Sequence, residues 1–537
     1  MKKYQLTLVI VFIVYFLNNS YTQTIISQGA YGGEHSEASV KALKISATKT
    51  ILAGISNSHL SGTHQSTGYG FDDYWVVCLE NGNVLWERAY GGNDYDYLND
   101  VALLSDGSVL LAGYSYSDSS GIKTENSRGE SDLWLVKIDT SGTVLWERTI
   151  GGDSYDMPEK IIELTDQSIL VICSSSSSIS GEKTLARKSS SALAADAWTV
   201  KIDPSTGGIL DQFLFGSESS DYTADVILEE EKLIFALSTM AGITGDKTID
   251  NIGGSDFWIV EYDMNSKQIL NQQVYGGVDD EDISNIVKVD DEYILIGMSR
   301  SGVSGDKSTM NYGETDIWLV KIDQSFNIID QASFGGIEDD ITTSSDVVFR
   351  SLNHQIIIAA GSNSPSGNGG TKTSPNYGEF DGYVLGINAE TLEQRWDISL
   401  GGTEHEQAVS VIIEEDNDIS ILCSTNSSES GNKTVPLIGE TDYWFVQLGN
   451  TTGVEDLNFD LEKVLVYPNP SRGYIYIQNA KLNSNYSVFD VTGQLIQQGI
   501  ISSNNQEVEL QTSTVGILFI QLENTAGGFQ TLKLVRD

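Results

Sequence analysis

The sequence predicts an all-β chain: a seven-bladed β-propeller followed by a small Ig-like β-sandwich. Two punctuation marks, repeated along residues 31–448, carry that reading. The first is an aromatic or aliphatic residue before a glycine pair, as in Tyr31-Gly32-Gly33, Tyr90-Gly91-Gly92, Ile150-Gly151-Gly152, Tyr275-Gly276-Gly277, Phe334-Gly335-Gly336 and Leu400-Gly401-Gly402, with Phe215-Gly216-Ser217 as a variant. The second is an aspartate two residues before an aromatic: Asp73/Trp75, Asp132/Trp134, Asp196/Trp198, Asp256/Trp258, Asp316/Trp318, Asp381/Tyr383 and Asp442/Trp444. Successive second-glycine positions lie 59, 60, 65, 60, 59 and 66 residues apart, so insertions are small and every copy solves the same packing problem.

Within one copy the elements follow in order. Leu98 to Leu104 reads as a short apolar strand, Asp106-Gly107 as a tight turn, and Ser108 to Tyr114 as a second strand. A polar loop runs from Ser115 to Ser131. Leu133 to Ile138 is β-rich, Thr140-Ser141-Gly142 turns the chain, and Thr143 to Ile150 forms a fourth strand. Four antiparallel strands per copy make a propeller blade. The first two strands, nearly continuous in apolar residues, are expected to be covered on both faces and the last two to alternate. No copy holds an uninterrupted amphipathic stretch of helical length, which excludes a helical solenoid. The seventh copy lacks a fourth strand, while an orphan strand at 24–31 precedes the first glycine pair. Pairing of the two would close the ring and leave no free edge.

Composition narrows the function classes. With 31 basic against 75 acidic residues the chain carries a net charge of −44, which repels nucleic acid and anionic membranes. Residues 1–22 read as a signal peptide: Lys2 and Lys3, an apolar run from Leu6 to Leu17, then small polar residues. That run falls short of the about 20 residues of a membrane span, and no later segment approaches that length. Cys78, Cys173 and Cys423 lie in separate copies, two of them within apolar runs, and predict no disulfide framework. A monomer stabilised by packing is the expectation.

After the propeller (24–448), residues 449–461 read as a linker and 462–537 as a separate module whose strands are marked by glycine at turns and by prolines confined to its start. Residues 24–448 resemble the seven-bladed propeller repeat proteins exported by bacteria of the Bacteroidetes type, on the glycine pair, the Asp132 to Asp139 pattern and the recurring Ser-Gly-x-Lys-Thr loop (Ser180 to Thr184, and Ser430 to Thr434). The tail is similar to the type A C-terminal sorting domain of the type IX secretion system. The matching residues are Tyr467, Pro468, Asn469 and Pro470, then Gly493, Gly516 and Lys533. The resemblance implies passage through the outer membrane with the type IX machinery as partner, tail removal, and a product attached to the surface or released.

Several residues invite chemistry. Four positions past the second glycine stands a carboxylate in every copy: Glu37, Asp96, Asp156, Asp221, Glu281, Asp340 and Glu406. Ring closure would gather them near the axis, where an oxygen-rich cluster suits Ca²⁺. A sevenfold residue equally answers a sevenfold backbone need, such as accepting N–H bonds from the glycine turn, and that structural role is preferred. His35 and His405 share one register in the first and last copies and, with Glu37 and Glu406, could form a metal site at the closing seam. His59 and His64 are expected to be exposed loop residues. The aspartate of each Asp-x-aromatic pair is expected to bond loop amides. The Ser-Gly-x-Lys-Thr segments lack both the leading glycine and the following helix of a phosphate loop.

No Ser/His/Asp arrangement with an oxyanion elbow stands out, and the copies vary too little for the usual catalytic propeller. The leading expectation is an exported, surface or secreted binding protein whose ligand is a glycan or a protein. A polysaccharide hydrolase or lyase and a purely structural surface component are the alternatives. Aromatics clustered and exposed on one face would count against the last.

Overall fold

The computed structural model describes residues 22–451 and 465–536, apart from short stretches at 343–345, 368, 415–416, 468–469, 479–481, 483, 492–493, 504, 511–515 and 524–528. The signal peptide up to residue 21, most of the linker, and Pro468, Asn469 and Gly493 of the tail motifs lie outside the described residues. The chain divides into two compact units, Met1–Thr451 and Thr452–Asp537.

The first unit is built from seven antiparallel sheets in chain order. Blades 1 to 5 span residues 37–90, 96–150, 156–215, 221–275 and 281–334, each a four-stranded meander. Blade 6 (340–400) has its innermost strand broken into Asp340–Ile341 and Val347–Arg350, both paired to Gln355–Ser362. Blade 7 takes three strands from 406–451 and its fourth from the start of the chain, Thr22–Tyr31, which pairs antiparallel with Asp442–Thr451 from Thr22↔Thr451 to Tyr31↔Tyr443. The closing strand starts two residues before the expected 24–31 and ends at Tyr31 as expected; at the extended end its partner strand runs past residue 448 to Thr451, into the stretch read as linker.

Apolar side chains form one core at each junction between successive blades. Ile51, Tyr74 and Val76 meet Leu98, Leu111 and Trp134 between blades 1 and 2. Between blades 7 and 1, Leu422 and Tyr443 meet Leu52, Trp75 and Val77, so the last junction is packed like the others. Such burial contributes on the order of 2–3 kcal/mol per large side chain.

The burial pattern corrects the expectation about strands. The second and third strands are the fully covered ones, as in Val109–Ser115 and Asp132–Ile138. The innermost strand is only half covered, as in Asp96–Leu103, and the fourth does not alternate but runs from exposed at its start to buried at its end, as in Asn83–Tyr90 and Ile328–Phe334. The physical reason is position: the first strand lines the axis, the fourth forms the rim, and only the middle two have blades on both faces.

One polar contact repeats at the rim. The indole N–H of Trp75, Trp134, Trp198, Trp258 and Trp318 donates to Glu87, Glu147, Gln212, Gln272 and Gln331 on the fourth strand of its own blade, at 2.8–3.3 Å. In blade 7 the acceptor for Trp444 is Gln28 of the closing strand, at 3.1 Å. Gln28 therefore occupies the fourth-strand register of the repeat, although it precedes the first copy by sequence.

The second unit holds a three-stranded sheet (Leu465–Tyr467, Tyr474–Gln478, Asn505–Glu509) and a four-stranded one (Leu495–Ile500, Asn485–Asp490, Gly516–Glu523, Phe529–Arg536). Ile475, Ile477, Val488, Val508, Ile520 and Leu534 form its core between the two sheets, the arrangement of a β-sandwich. No described helix is long and apolar enough to cross a membrane.

Candidate functional site

The repeated polar residues form a buried network at each blade junction. Every leading carboxylate is fully buried, and accepts the N–H of the second glycine position: Gly33 to Glu37 at 2.9 Å, Gly92 to Asp96 at 2.7 Å, Gly277 to Glu281 at 2.6 Å and Gly402 to Glu406 at 2.6 Å. Gly152 with Asp156, Ser217 with Asp221 and Gly336 with Asp340 do the same at 2.5–2.7 Å. Hydroxyls of the second strand supply further bonds, Ser56 to Glu37 at 2.8 Å and Thr425 to Glu406 at 2.7 Å. Each carboxylate is thus engaged within its own blade, and among the described residues no three His, Cys, Asp or Glu side chains converge as metal ligands.

The glycine pair is explained by its neighbours. A Cβ on Gly91 would lie 1.6 Å from the Asp73 carboxylate, and one on Gly92 would lie 2.4 Å from Cβ of Ser117. Asp73 accepts the Tyr69 N–H at 2.6 Å, and Asp442 accepts that of Ile438 at 2.6 Å. Burial drives these aspartates upward from their ordinary range, Asp73, Asp196 and Asp316 to about 7 and Asp132, Asp256 and Asp381 to about 6.

The lysine of the Ser-Gly-x-Lys-Thr loop, not singled out by sequence reasoning, is the cation of this network. Lys123, Lys183, Lys247, Lys307, Lys372 and Lys433 are at most 2% exposed. Lys307 donates to Ser299 Oγ and to the Ser301 carbonyl, both at 2.8 Å, and its ammonium sits 5.8 Å above the Trp318 ring. Blade 1 substitutes His64, which is 1% exposed and stacks on Trp75 at 5.1 Å; the expectation of an exposed loop histidine fails because this position is the buried lysine's. His59 is exposed.

His35 and His405 occupy successive seams. The His35 carbonyl accepts the Glu440 N–H of blade 7 at 2.8 Å, whereas the His405 ring stacks on Phe380 of blade 6 at 4.9 Å. Each thus contacts the blade that precedes its own, and the structure does not bring the two imidazoles together with Glu37 and Glu406.

Two features depart from the sevenfold pattern. The first is a row of aromatic rings across blades 1 and 2. Phe71 stacks on Tyr95 at 4.8 Å, Tyr95 on Tyr97 at 5.8 Å with planes 5° apart, Tyr97 packs on its cross-strand partner Tyr114 at 5.2 Å, and Tyr114 meets Tyr116 edge-on at 6.0 Å. Phe71 is 58% exposed, and Tyr69 and Tyr95 are 41% and 39% exposed. At the register of Tyr114 the other blades carry Ile55, Ser174, Ser238, Met298, Gly361 and Ser424. The Tyr-x-Tyr pairs of the second copy were the available signal, hidden because the eye follows what repeats.

The second is a cavity of about 480 Å³ lined by innermost strands of all seven blades. Six of those strands carry a bulge at one register, after Ser39, Leu98, Pro158, Thr223, Ile283 and Ala408. The residue closing each bulge differs: Lys41, Asp100, Lys160, Asp225, Asn285 and Ser410. In blade 6 the strand is interrupted instead and presents Thr342 and Asp346. Lys41 pairs with Asp346 at 3.5 Å and Lys160 with Asp225. Asp100, Asp225 and Asp346 also accept the N–H of Ile161, Ile286 and Val411 in the following blade, at 2.8–3.1 Å. Asp346 raises the Lys41 pKa, and burial pushes the Glu159 carboxyl up to about 8.

Residues 465–536 match the family described as the secretion system C-terminal sorting domain. The tail belongs to that family. Its presence implies export by type IX secretion, to the cell surface or beyond it. No curated protein matches the chain. Among solved structures, the chain is similar to BamB from Moraxella catarrhalis (11% identity, TM-score 0.37, covering 79% of this chain and 100% of that one). It is also similar to the Neurospora crassa Pan2 WD40 domain (8% identity, TM-score 0.40, covering 80% and 96%). The propeller assignment rests on the sheet order described above.

Proposed function

We propose that the protein is an exported binding protein whose propeller takes a glycan on the aromatic row of blades 1 and 2. The row carries this reading. Phe71 offers a broad apolar face to solvent, matched to the C–H face of a pyranose, and the tyrosines present edges that combine apolar area with a hydroxyl. Rings stacked on one another are already ordered, so little conformational entropy is lost when a ligand settles on them. Blade-to-blade packing does not require the row, since the other blades close without it. It also counts against a purely structural surface component.

A glycan array combined with a reducing-sugar release assay tests the reading on the exported protein. Binding without release is expected, weakened about tenfold or more by Phe71→Ala or Tyr95→Ala, a loss of about 1.4 kcal/mol or more. Sugar release would favour the hydrolase or lyase, and glycan binding indifferent to both substitutions would refute the placement. Deleting residues 452–537 is expected to leave the propeller folded but retained inside the outer membrane, read by surface proteolysis of intact cells.

A further inference from the structure

The axial cavity differs from the rest of the ring in one respect. The glycine turns and leading carboxylates repeat from blade to blade, whereas the residues facing the cavity from the bulge register change, and only Asp100, Asp225 and Asp346 among them also accept backbone N–H bonds from the following blade. A backbone requirement common to all blades does not produce such variation, but contents of the cavity would. Its lining holds two ammonium groups, Lys41 and Lys160, against Asp100, Asp225, Asp282 and Asp346. The lysines pair with Asp346 and Asp225; Asp100, which both lysines also face and which accepts the Ile161 N–H, and Asp282, which accepts the Ser255 hydroxyl at 2.9 Å, form no ion pair among the described residues. These two come from blades 2 and 5, on well-separated parts of the ring. Burial raises the Glu159 carboxyl to about 8, which reduces its share of the negative charge around the cavity. Thr342 is an independent sign of a missing occupant: it is 1% exposed, lines the cavity, and its hydroxyl has no partner among the described residues.

We propose that this cavity binds a small organic diamine, one ammonium at Asp100 and the other at Asp282 with the Thr342 hydroxyl oxygen accepting a bond. A metal ion fits poorly, because it needs several oxygens converging on a point and no three carboxylates do so among the described residues. A cation that divides its charge between two nitrogens matches carboxylates held apart on different blades. The lysines, already paired, exclude anions less than they fix the carboxylates around the axis.

Isothermal titration calorimetry on the full chain, with 1,4-diaminobutane, 1-aminobutane and CaCl₂ as the three titrants, tests the proposal. The diamine is expected to bind at least about tenfold more tightly than the monoamine, as a second charge-assisted hydrogen bond requires. Asp100→Asn and Asp282→Asn should each weaken it about tenfold or more. Thr342→Val, which keeps shape and charge and so guards against misfolded aspartate variants, should weaken it several-fold with the thermal midpoint unchanged. The proposal is overturned if the diamine gives no saturable heat at millimolar concentration, if monoamine and diamine bind equally, if calcium alone binds, or if Thr342→Val leaves the affinity unaltered.

Discussion

Closure of the ring can be tested at a single side chain. Gln28 Oε1 accepts the indole N–H of Trp444 at 3.1 Å and the backbone N–H of Thr434 at 3.0 Å, while its Nε2 donates to the Asn432 carbonyl at 2.8 Å. Gln28→Ala strands the Trp444 N–H, on a ring that is fully buried, and removes the tie to two loop groups. An unpaired buried donor costs about 1–3 kcal/mol, and the two partly exposed bonds add about 0.5–1 kcal/mol each, so a loss of about 2–5 kcal/mol is expected. Gln28→Glu discriminates the cause. Glu87 and Glu147 do this work in blades 1 and 2, so glutamate keeps both accepted bonds and loses only the donation to Asn432, at about 1 kcal/mol. All nine tryptophans lie between residues 75 and 444, which makes tryptophan fluorescence during urea unfolding a report on the propeller alone. Gln212→Ala, the same contact inside blade 3, measures the local loss without the closing strand. If Gln28→Ala shifts the midpoint by less than Gln212→Ala does, or if the glutamate variant is as unstable as the alanine one, the closing role assigned to this residue is wrong.

Three further outcomes follow from the buried network. Lys307→Met keeps the stem but leaves Ser299, Ser301 and the Glu281 and Asp316 carboxylates without their cation, and should destabilise by about 3 kcal/mol in the same unfolding assay. Gly91→Ala forces a methyl to 1.6 Å from Asp73 and should reduce soluble yield or cost about 3 kcal/mol, whereas Gly82→Ala, in open space at φ +78°, should cost about 1 kcal/mol. The buried aspartates set a pH trend. Their folded-state pKa values, about 6 to 7, lie above the ordinary 3.8, so the stability they contribute is complete below the ordinary value and is lost as pH rises through 6 to 7. The thermal midpoint should therefore rise on acidification from pH 8 to pH 5, against the smaller opposite effect of His64, which burial holds below its usual range. Asp316→Asn should flatten part of that rise.

The fold was legible because its requirements repeat. A glycine pair seven times over, an Asp-x-aromatic seven times over and a missing fourth strand at one end leave few architectures, and the strand at Thr22–Tyr31 closes the last blade. What the sequence hid was depth. The lysine of the Ser-Gly-x-Lys-Thr loop looks solvated by type, yet six copies are buried beside carboxylates, because a long side chain can thread inward and find carbonyls that no periodicity reveals. The innermost strands looked like core, since Leu98, Val101 and their equivalents are apolar; their other face meets the axis, which only closure defines. Tyr95, Tyr97, Tyr114 and Tyr116 were visible as residues, but their row depends on the pairing of two strands and on the loop at Phe71, which no spacing along one copy reports.

In a ring of near-identical units, repetition and singularity carry different information. A residue present in all seven blades answers a demand that every blade makes, and the leading carboxylates illustrate this: each is consumed by the glycine turn beside it and by hydroxyls of its own sheet. Such a residue is tied to its own blade, whatever its chemical type suggests, even where one oxygen, as in Asp96 and Asp340, has no partner among the described residues. A residue that appears once, on a surface whose neighbours tolerate serine or glycine in its place, answers to nothing in the blade. The aromatic row is of this second kind, and so in part are the unequal residues around the axis, where Asp100, Asp225 and Asp346 also accept an N–H of the following blade while Thr342 does not. The consequence is physical: the row and Thr342 can be altered without removing a bond between blades, so loss of binding on substitution can be separated from loss of fold, and the same ring that makes the framework uninformative about ligands makes its exceptions testable.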